Sequence, residues 1–492
     1  MRAALLRSSN YRWWAFAAIG IGLFTSVVDY GTVAVALPTI TDHFNSDFPT
    51  VQWIMVGYNL TISALLLPMG RLSDIIGRKQ VYVTGLVLFV LGAALAGFST
   101  NITILILSRV LMGCGAAMAE GTGMAMMVSV FSGNERGKAL GSYMSVVGLG
   151  AISGPAIGGL LVSLWGWPSV FLFNVPLGIL AIAASLIILD NRRMLEDRKR
   201  DRFDWLGATL SATALITLLL AATNGPRMGW GAPLIVAGGV AFLVFLAAFV
   251  WWELKTPTPM LDLRLFKRRT FSMGISAGFI SFLGLSAIRY LIPFYLQAVL
   301  DYSPGKIGLI LAPNAIAMIV IGPLSGRLSD RYGWRKLNVG GLLISAAGMF
   351  LLVRVTENSS LDLVLAGMLL QSCGLGFFNS PNSSSILSTV ERHRYGVVTA
   401  LLNLMRNSAQ VMGIAVATAI VTATMASMGY AASLDAVSNA PGAFTTGFRI
   451  VCLAMASLTL LGVVISIVKG GRPAQAPIQQ IGDPQPGGSQ PD

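Results

Sequence analysis

Apolar stretches of roughly twenty residues recur fourteen times along this 492-residue chain, set apart by short basic clusters. At a rise of about 1.5 Å per residue, such a stretch crosses the roughly 30 Å hydrocarbon core of a bilayer. Lipid offers no partner to a backbone amide, so every stretch has to be helical. The pattern predicts spans near 14–38, 51–70, 81–98, 103–131, 139–162, 168–189, 205–223, 231–252, 271–298, 304–324, 337–354, 361–385, 396–424 and 446–468. Charged residues make up 11% of the chain, well below the roughly 25% of a soluble domain, so the expected class is an all-α membrane protein.

The net charge of +13 does not point to nucleic acid, because the basic residues flank spans instead of forming one face or tail. One set of alternate loops, with the two termini, holds 27 of the 34 basic residues; the opposite set holds only Arg227, Lys306 and Arg354. By the positive-inside rule this puts both termini in the cytoplasm, with the chain multi-pass in the inner (cytoplasmic) membrane. It also requires an even number of spans. The first apolar run follows Arg2, Arg7 and Arg12 and continues through Asp29 without a small-residue cleavage site, as a retained span would. The tail from Gly470 is rich in Pro, Gln and Gly and reads as disordered.

Covalent catalysis finds no support in the residue pattern. Cys114, Cys373 and Cys452 are too widely spaced for a disulfide framework or a zinc site, and His43 and His393 both fall in loops. No phosphate-binding loop and no nucleophile–base arrangement is evident, so neither cofactor nor metal is expected.

Two segments repeat. Gly70-Arg71-Leu72-Ser73-Asp74-Ile75-Ile76-Gly77-Arg78-Lys79 follows the second span, and Gly326-Arg327-Leu328-Ser329-Asp330-Arg331-Tyr332-Gly333-Trp334-Arg335-Lys336 follows the tenth. Both read as tight turns on the same side of the membrane. Their aspartates are placed to accept hydrogen bonds from a helix N-terminus or to pair with a nearby arginine, so the turns are candidates for a conformational latch. A repeat in two six-helix halves leaves two spans between them. The expected organisation is a six-helix bundle over 1–190, a linker with two additional spans over 191–270, a second six-helix bundle over 271–468 and a tail over 469–492.

At these residues the chain resembles the major facilitator superfamily, whose signature in this loop is G-x-L-x-D-x-x-G-R-K. Val28-Asp29 through Ala36-Leu37-Pro38 is similar to the first-helix motif of its fourteen-helix drug:proton antiporter branch. Leu107-Ser108-Arg109, leading to Gly113-Cys114-Gly115, is similar to the fourth-helix motif with its buried arginine. Gly148, Gly150, Gly154-Pro155 and Gly158-Gly159 resemble the fifth-helix antiporter motif, and Gly396 to Gly413, with Asn403, Arg406 and Asn407, is also similar. The resemblance implies a major facilitator fold, multidrug efflux by antiport, and a hinge or gasket at the fifth-helix glycines. Glu120 and Arg289 depart from the branch's pattern, which bears on the usual cationic-drug substrate.

Asp29 and Glu120 are the two acids expected well inside spans, where a charge needs a cavity or a partner. Helical rise puts Asp29 and Arg109 at similar depth, which makes them candidates for proton coupling or, alternatively, for a static pair locking two helices. Glu120 is a candidate second proton site or contact for a cation. Arg289 and Arg406 lie in the second half, which has no intramembrane acid, so the cavity is expected to be acidic on one wall and basic on the other. That suits anionic, zwitterionic or lipid-like amphiphiles as well as weakly basic drugs. Tyr58, Tyr143, Phe377 and Asn403 are further cavity candidates, and Asn379, Pro381, Asn382 and Ser383 to Ser385 a candidate water path. The expected function is a proton-coupled antiporter exporting amphipathic molecules by alternating access. A lipid or glycolipid exporter of the same fold is the alternative, and a transporter-like sensor a distant one. The partners expected are protons, the substrate and membrane lipids, with the protein itself a monomer.

Overall fold

A computed structural model describes residues 10–46, 48–131, 135–190, 203–302, 304–391, 394–430 and 440–468. The readings made above on Arg2, Arg7, His393, the basic cluster at 192–202 and the tail fall outside them. Fourteen helices in the described chain are long and apolar enough to cross a membrane. In order they are α1 (Tyr11–Phe44), α2 (Phe48–Ile76), α3 (Arg78–Gly97), α4 (Ile102–Val130), α5 (Arg136–Trp165), α6 (Pro168–Ile188, interrupted at Phe173) and α7 (Trp205–Met228). They continue as α8 (Pro233–Lys255), α9 (Arg269–Phe294), α10 (Pro304–Tyr332), α11 (Trp334–Leu352), α12 (Leu361–Leu387), α13 (Tyr395–Ser427) and α14 (Pro441–Val468).

Helices α1 to α6 form one bundle and α9 to α14 another, and the main contacts in the first recur in the second eight helices later. α3 lies along α4 as α11 lies along α12; α2 packs on α4 as α10 packs on α12; α1 packs on α5 and α6 as α9 packs on α13 and α14. Small residues permit the closest of these approaches, as is usual where lipid supplies no hydrophobic drive. A Cβ on Gly115 would sit 2.4 Å from the Gly85 carbonyl of α3, and one on Gly374 would sit 2.5 Å from the Gly341 carbonyl of α11. The bundles meet through α5 on α10 and α2 on α13. α7 fills the seam against α2 and α13, while α8 packs on α7 and leaves most of its surface outward. The arrangement is therefore six, two and six. Because α1 begins and α14 ends on the same side, that side is called the near face and the other the far face.

The repeated glycine–aspartate segment is not a turn. α2 remains helical to Ile76 and α10 to Tyr332, so Asp74 and Asp330 ride on the last helical turns. The chain reverses at the single glycines Gly77 (φ 127°) and Gly333 (φ 85°), whose backbone side chains resist. Apolar composition stops several residues earlier, because these helix ends are stabilised by one another and not by lipid.

Gly115→Leu is expected to force α3 from α4 and to destabilise the bundle by about 1–3 kcal/mol, the usual cost of overpacking. The check is a fall in the thermal midpoint of the purified protein. Gly340→Ala, where a Cβ meets nothing within 4 Å, should leave the midpoint unchanged.

Candidate functional site

Asp29 and Arg109 meet. Arg109 Nη1 donates to Asp29 Oδ2 at 2.7 Å, and both side chains are 0% exposed. Asn174 of α6 donates to the other Asp29 oxygen at 2.9 Å, and Arg109 Nε donates to the Ile54 carbonyl of α2 at 3.1 Å. The guanidinium stacks 4.0 Å above the Tyr58 ring. Four helices of the first bundle thus converge on one ion pair. Their order follows from register, since Arg109 lies seven residues, or roughly 10 Å, from the far end of α4. Some polar capacity is left over: Arg109 Nη2, the Tyr58 hydroxyl and Asn174 Oδ1 are buried without a hydrogen-bond partner among the described residues.

Glu120 and Arg406 form a second level. Glu120 lies ten residues from the near end of α4 and Arg406 eleven from the near end of α13, so both sit roughly 15 Å deep. They lie within Coulomb range of each other, and Tyr143 of α5 lies within range of both. Arg406 rests over the Phe282 ring at 5.0 Å, and its buried Nε has no hydrogen-bond partner. Asn403, one turn before Arg406, donates to the Glu120 carbonyl at 3.1 Å across the bundle interface. Glu120, Tyr143, Ser26 and Tyr82 line a small pocket between the helices. Glu120 and Arg406, expected on acidic and basic walls, belong to opposite bundles. Tyr58 is not an open cavity residue: it is 2% exposed beneath Arg109, within Coulomb range of both Asp29 and Glu120. Phe377 is half-buried on α12, its backbone against α11.

The residues read as a latch lie where the two bundles meet at the near face. Asp74 accepts from the amides of Gly396 and Val397 at 3.1 and 3.0 Å, at the start of α13. Asp330 accepts from the amides of Gly137 and Lys138, both at 3.0 Å, at the start of α5. Each carboxylate meets the positive end of a helix in the opposite bundle. Glycine is required at both receiving positions, since a Cβ on Gly396 would lie 2.4 Å from Asp74 Oδ1 and one on Gly137 2.6 Å from Asp330 Oδ1. Gly70 and Gly326 pack against the same two helices, at Gly396 and Gly137. Arg78 also pairs with Asp74 at 3.0 Å, and Arg71 lies within Coulomb range of Asp74 and of Glu253 on α8.

Arg335 is a correction. It does not join the latch but donates to the Ile467 carbonyl at the end of α14, as Lys79 donates to the Leu186 and Leu189 carbonyls at the end of α6. The position four residues beyond Asp330, equivalent to Arg78, holds Trp334. A second correction concerns the stretch from Asn379. Asn379 donates to the Met144 sulfur, Ser380 to the Gly137 carbonyl and Asn382 to the Gly274 carbonyl, so these residues join helices and do not line a water path.

The fifth-helix glycines face α1. Cβ atoms on Gly150, Gly154 and Gly158 would meet Val27, Gly31 and Thr32 within 3.0 Å, whereas one on Gly159 would meet nothing. Gly148 is buried, and α5 runs unbroken through Pro155. Arg289 on α9 is exposed, with no partner among the described residues, and lies within Coulomb range of Tyr30 on α1. Sequence reasoning missed Asn174, whose amide is one more polar residue in an apolar helix, and Tyr30, the neighbour of Asp29. It also missed the strap after α8. There Arg394 donates to Asp262 at 2.6 Å, and Arg268 donates to the Thr389 carbonyl.

With this geometry in hand, comparison with known proteins is direct. The sequence matches the Major Facilitator Superfamily over residues 19–414 and again over 275–482. It is 33% identical to the riboflavin transporter RibZ of Clostridioides difficile (strain 630), the alignment covering 82% of this chain and 87% of that one. It is 31% identical to the multidrug resistance protein Stp of Mycobacterium tuberculosis (strain CDC 1551 / Oshkosh), over 82% of this chain and 75% of that one. The fold is similar to the crystal structure of the human organic anion transporter MFSD10 (TETRAN), with a TM-score of 0.65 at 15% identity over 92% of this chain and 99% of that one. This chain belongs to the Major Facilitator Superfamily, and it is a multi-pass membrane transporter.

Asp29→Asn leaves Arg109 buried without its counter-charge and is expected to cost about 3–5 kcal/mol. Thermal unfolding of the purified protein should show this loss, and Asp29→Asn with Arg109→Gln should recover part of it. The strap gives a pH prediction. Burial raises the Asp262 pKa, but the hydrogen bond and charge of Arg394, with the Arg264 amide, outweigh it and hold the carboxyl below the usual carboxylate range. A depressed carboxyl contributes stability above its unfolded value, about 3.9, and loses it as pH falls through the lower folded value. The stability difference between wild type and Asp262→Asn should therefore be constant from about pH 5 to 8 and disappear only below about pH 4.

Proposed function

We propose that this transporter exports amphipathic small molecules across the inner membrane in exchange for protons, by alternating access. The observation that carries the reading is the placement of Glu120 and Arg406 at one depth on opposite bundles, where Asn403, one turn from Arg406, bonds the Glu120 carbonyl at 3.1 Å. A proton on Glu120 removes one side of their attraction, so protonation and bundle separation are linked through the same carboxylate. A cationic or weakly basic substrate competes with the proton for Glu120, which is the requirement for exchange.

Asp29 is the deeper coupling site in this reading. A proton there releases Arg109, whose Nη2 is still without a partner and for which the unpartnered Tyr58 hydroxyl is a nearby acceptor. Tyr58, within Coulomb range of both carboxylates, links the two levels. With the basic loops read as cytoplasmic, the near face where Asp74 and Asp330 join the bundles is the inward one. The protein acts as a monomer, with protons, the substrate and membrane lipids as its partners and no nucleic acid. A riboflavin transporter and a multidrug resistance protein among its relatives fit a planar or amphipathic substrate. Lipid or glycolipid export is the second reading, supported by the two arginines of the second bundle.

The test is flux in proteoliposomes under an imposed pH gradient, with cationic, anionic and lipid substrates. Wild type should move at least one class in a gradient-dependent way. Asp29→Asn should abolish coupling, and Glu120→Gln should shift the pH dependence of binding. Wild-type flux with unchanged pH dependence in Asp29→Asn removes the coupling role from Asp29, and no gradient-dependent flux in wild type overturns antiport.

A further inference from the structure

The intramembrane charges described above are matched except at one place. Arg109 is in contact with Asp29, and Arg406 faces Glu120, but no carboxylate among the described residues pairs with Arg289. An unpaired cation at this depth is costly unless it faces water or a ligand. Arg289 lies twenty residues from the near end of α9 and Tyr30 nineteen from the near end of α1, so both sit roughly 30 Å up the bundle, toward the far face. α1 and α9 belong to different bundles and share no packed interface. The Coulomb proximity of Tyr30 and Arg289 therefore spans the space between the bundles. Tyr30 is 51% exposed, and its hydroxyl, like the Arg289 guanidinium, hydrogen-bonds no described residue. A guanidinium fork and a phenol hydroxyl, both exposed, at one height and within Coulomb range of each other, are a donor set for an oxyanion.

We propose that Arg289 and Tyr30 form an anion-binding site at the far end of the cavity, which receives the carboxylate or phosphate of an amphipathic molecule. The site lies roughly 13 Å above the Glu120–Arg406 level, counted along the helices. A substrate holding an acidic group at one end and a planar or basic body below it spans both levels, so zwitterionic and acidic amphiphiles are selected over simple cations. This deepens the transport reading, in that it takes the cavity to be the substrate path, but it is tested without transport.

The experiment is equilibrium binding to purified protein in phosphatidylcholine nanodiscs, using pyrenebutyrate, its methyl ester and a pyrenebutyl trimethylammonium salt. Arg289→Gln should weaken pyrenebutyrate about tenfold, the size of one lost charge-assisted contact, and leave the ester and the cation unchanged. Arg289→Lys should recover part of the loss, and Tyr30→Phe should show a smaller one. Thermal midpoints verify that each variant is folded. Repeating the titration with phosphatidylglycerol in the disc separates the sources: competition in wild type but not in Arg289→Gln assigns the oxyanion to a lipid headgroup, and its absence assigns it to the free amphiphile. Equal weakening of all three probes, or undiminished pyrenebutyrate binding in Arg289→Gln, overturns the proposal. Because binding needs no pH gradient, a failure of gradient-driven flux would remove the antiport reading and leave this site standing.

Discussion

A charge in hydrocarbon is tolerated only with a partner or an aqueous opening, and this protein's organisation follows from how its few intramembrane charges satisfy that condition. Arg109 and Asp29 do so inside one bundle, at full burial, and tie α1, α4 and α6 together, with α2 joined through the Ile54 carbonyl. Glu120 and Arg406 do so between bundles, so their mutual attraction depends on how the bundles sit. The first arrangement joins helices within a bundle, and the second lies across the interface between bundles.

The near-face seal uses helix ends in the same spirit. Asp74 and Asp330 each occupy the last turn of their own helix, where the dipole disfavours a negative charge. Contact with the first amides of α13 and α5 offsets that cost, and separation of the bundles restores it. The two copies differ, because Arg78 pairs with Asp74 whereas Trp334 stands at the equivalent place beside Asp330. Asp74 therefore has a charged partner on its own side of the interface, and Asp330 has none at that position.

The extra helices are tied to the same region. Asp204 caps the start of α7 and accepts from the Trp252 indole at 2.9 Å, while Glu253 accepts from the Leu261 amide and lies within Coulomb range of Arg71. The strap that follows reaches the loop before α13 through Asp262 and Arg394. α7 and α8 are thereby connected to both receiving and donating sides of one seal, although α8 itself faces mostly outward.

The sequence alone determined the class of fold, the number of spans and the doubling of the chain, because backbone amides in lipid leave only helices and because a repeated Gly–Asp segment survives any packing. It also picked out Asp29, Arg109, Glu120 and Arg406, since charges are conspicuous in apolar helices. It misjudged what depends on contacts from other helices. The Gly–Asp segment looked like a turn because its polarity resembles a loop, yet α13 and α5 hold it helical. Arg335 looked like the counterpart of Arg78, yet one residue of register, about 100° around a helix, sends it to α14. Asn379 and its neighbours looked wet, yet α5 and α9 fill their hydrogen bonds. Tyr30 carried no signal, because only the approach of two bundles distant in sequence brings it near Arg289. Composition and periodicity are properties of one helix at a time, whereas partner choice is decided by which helices the tertiary fold sets side by side.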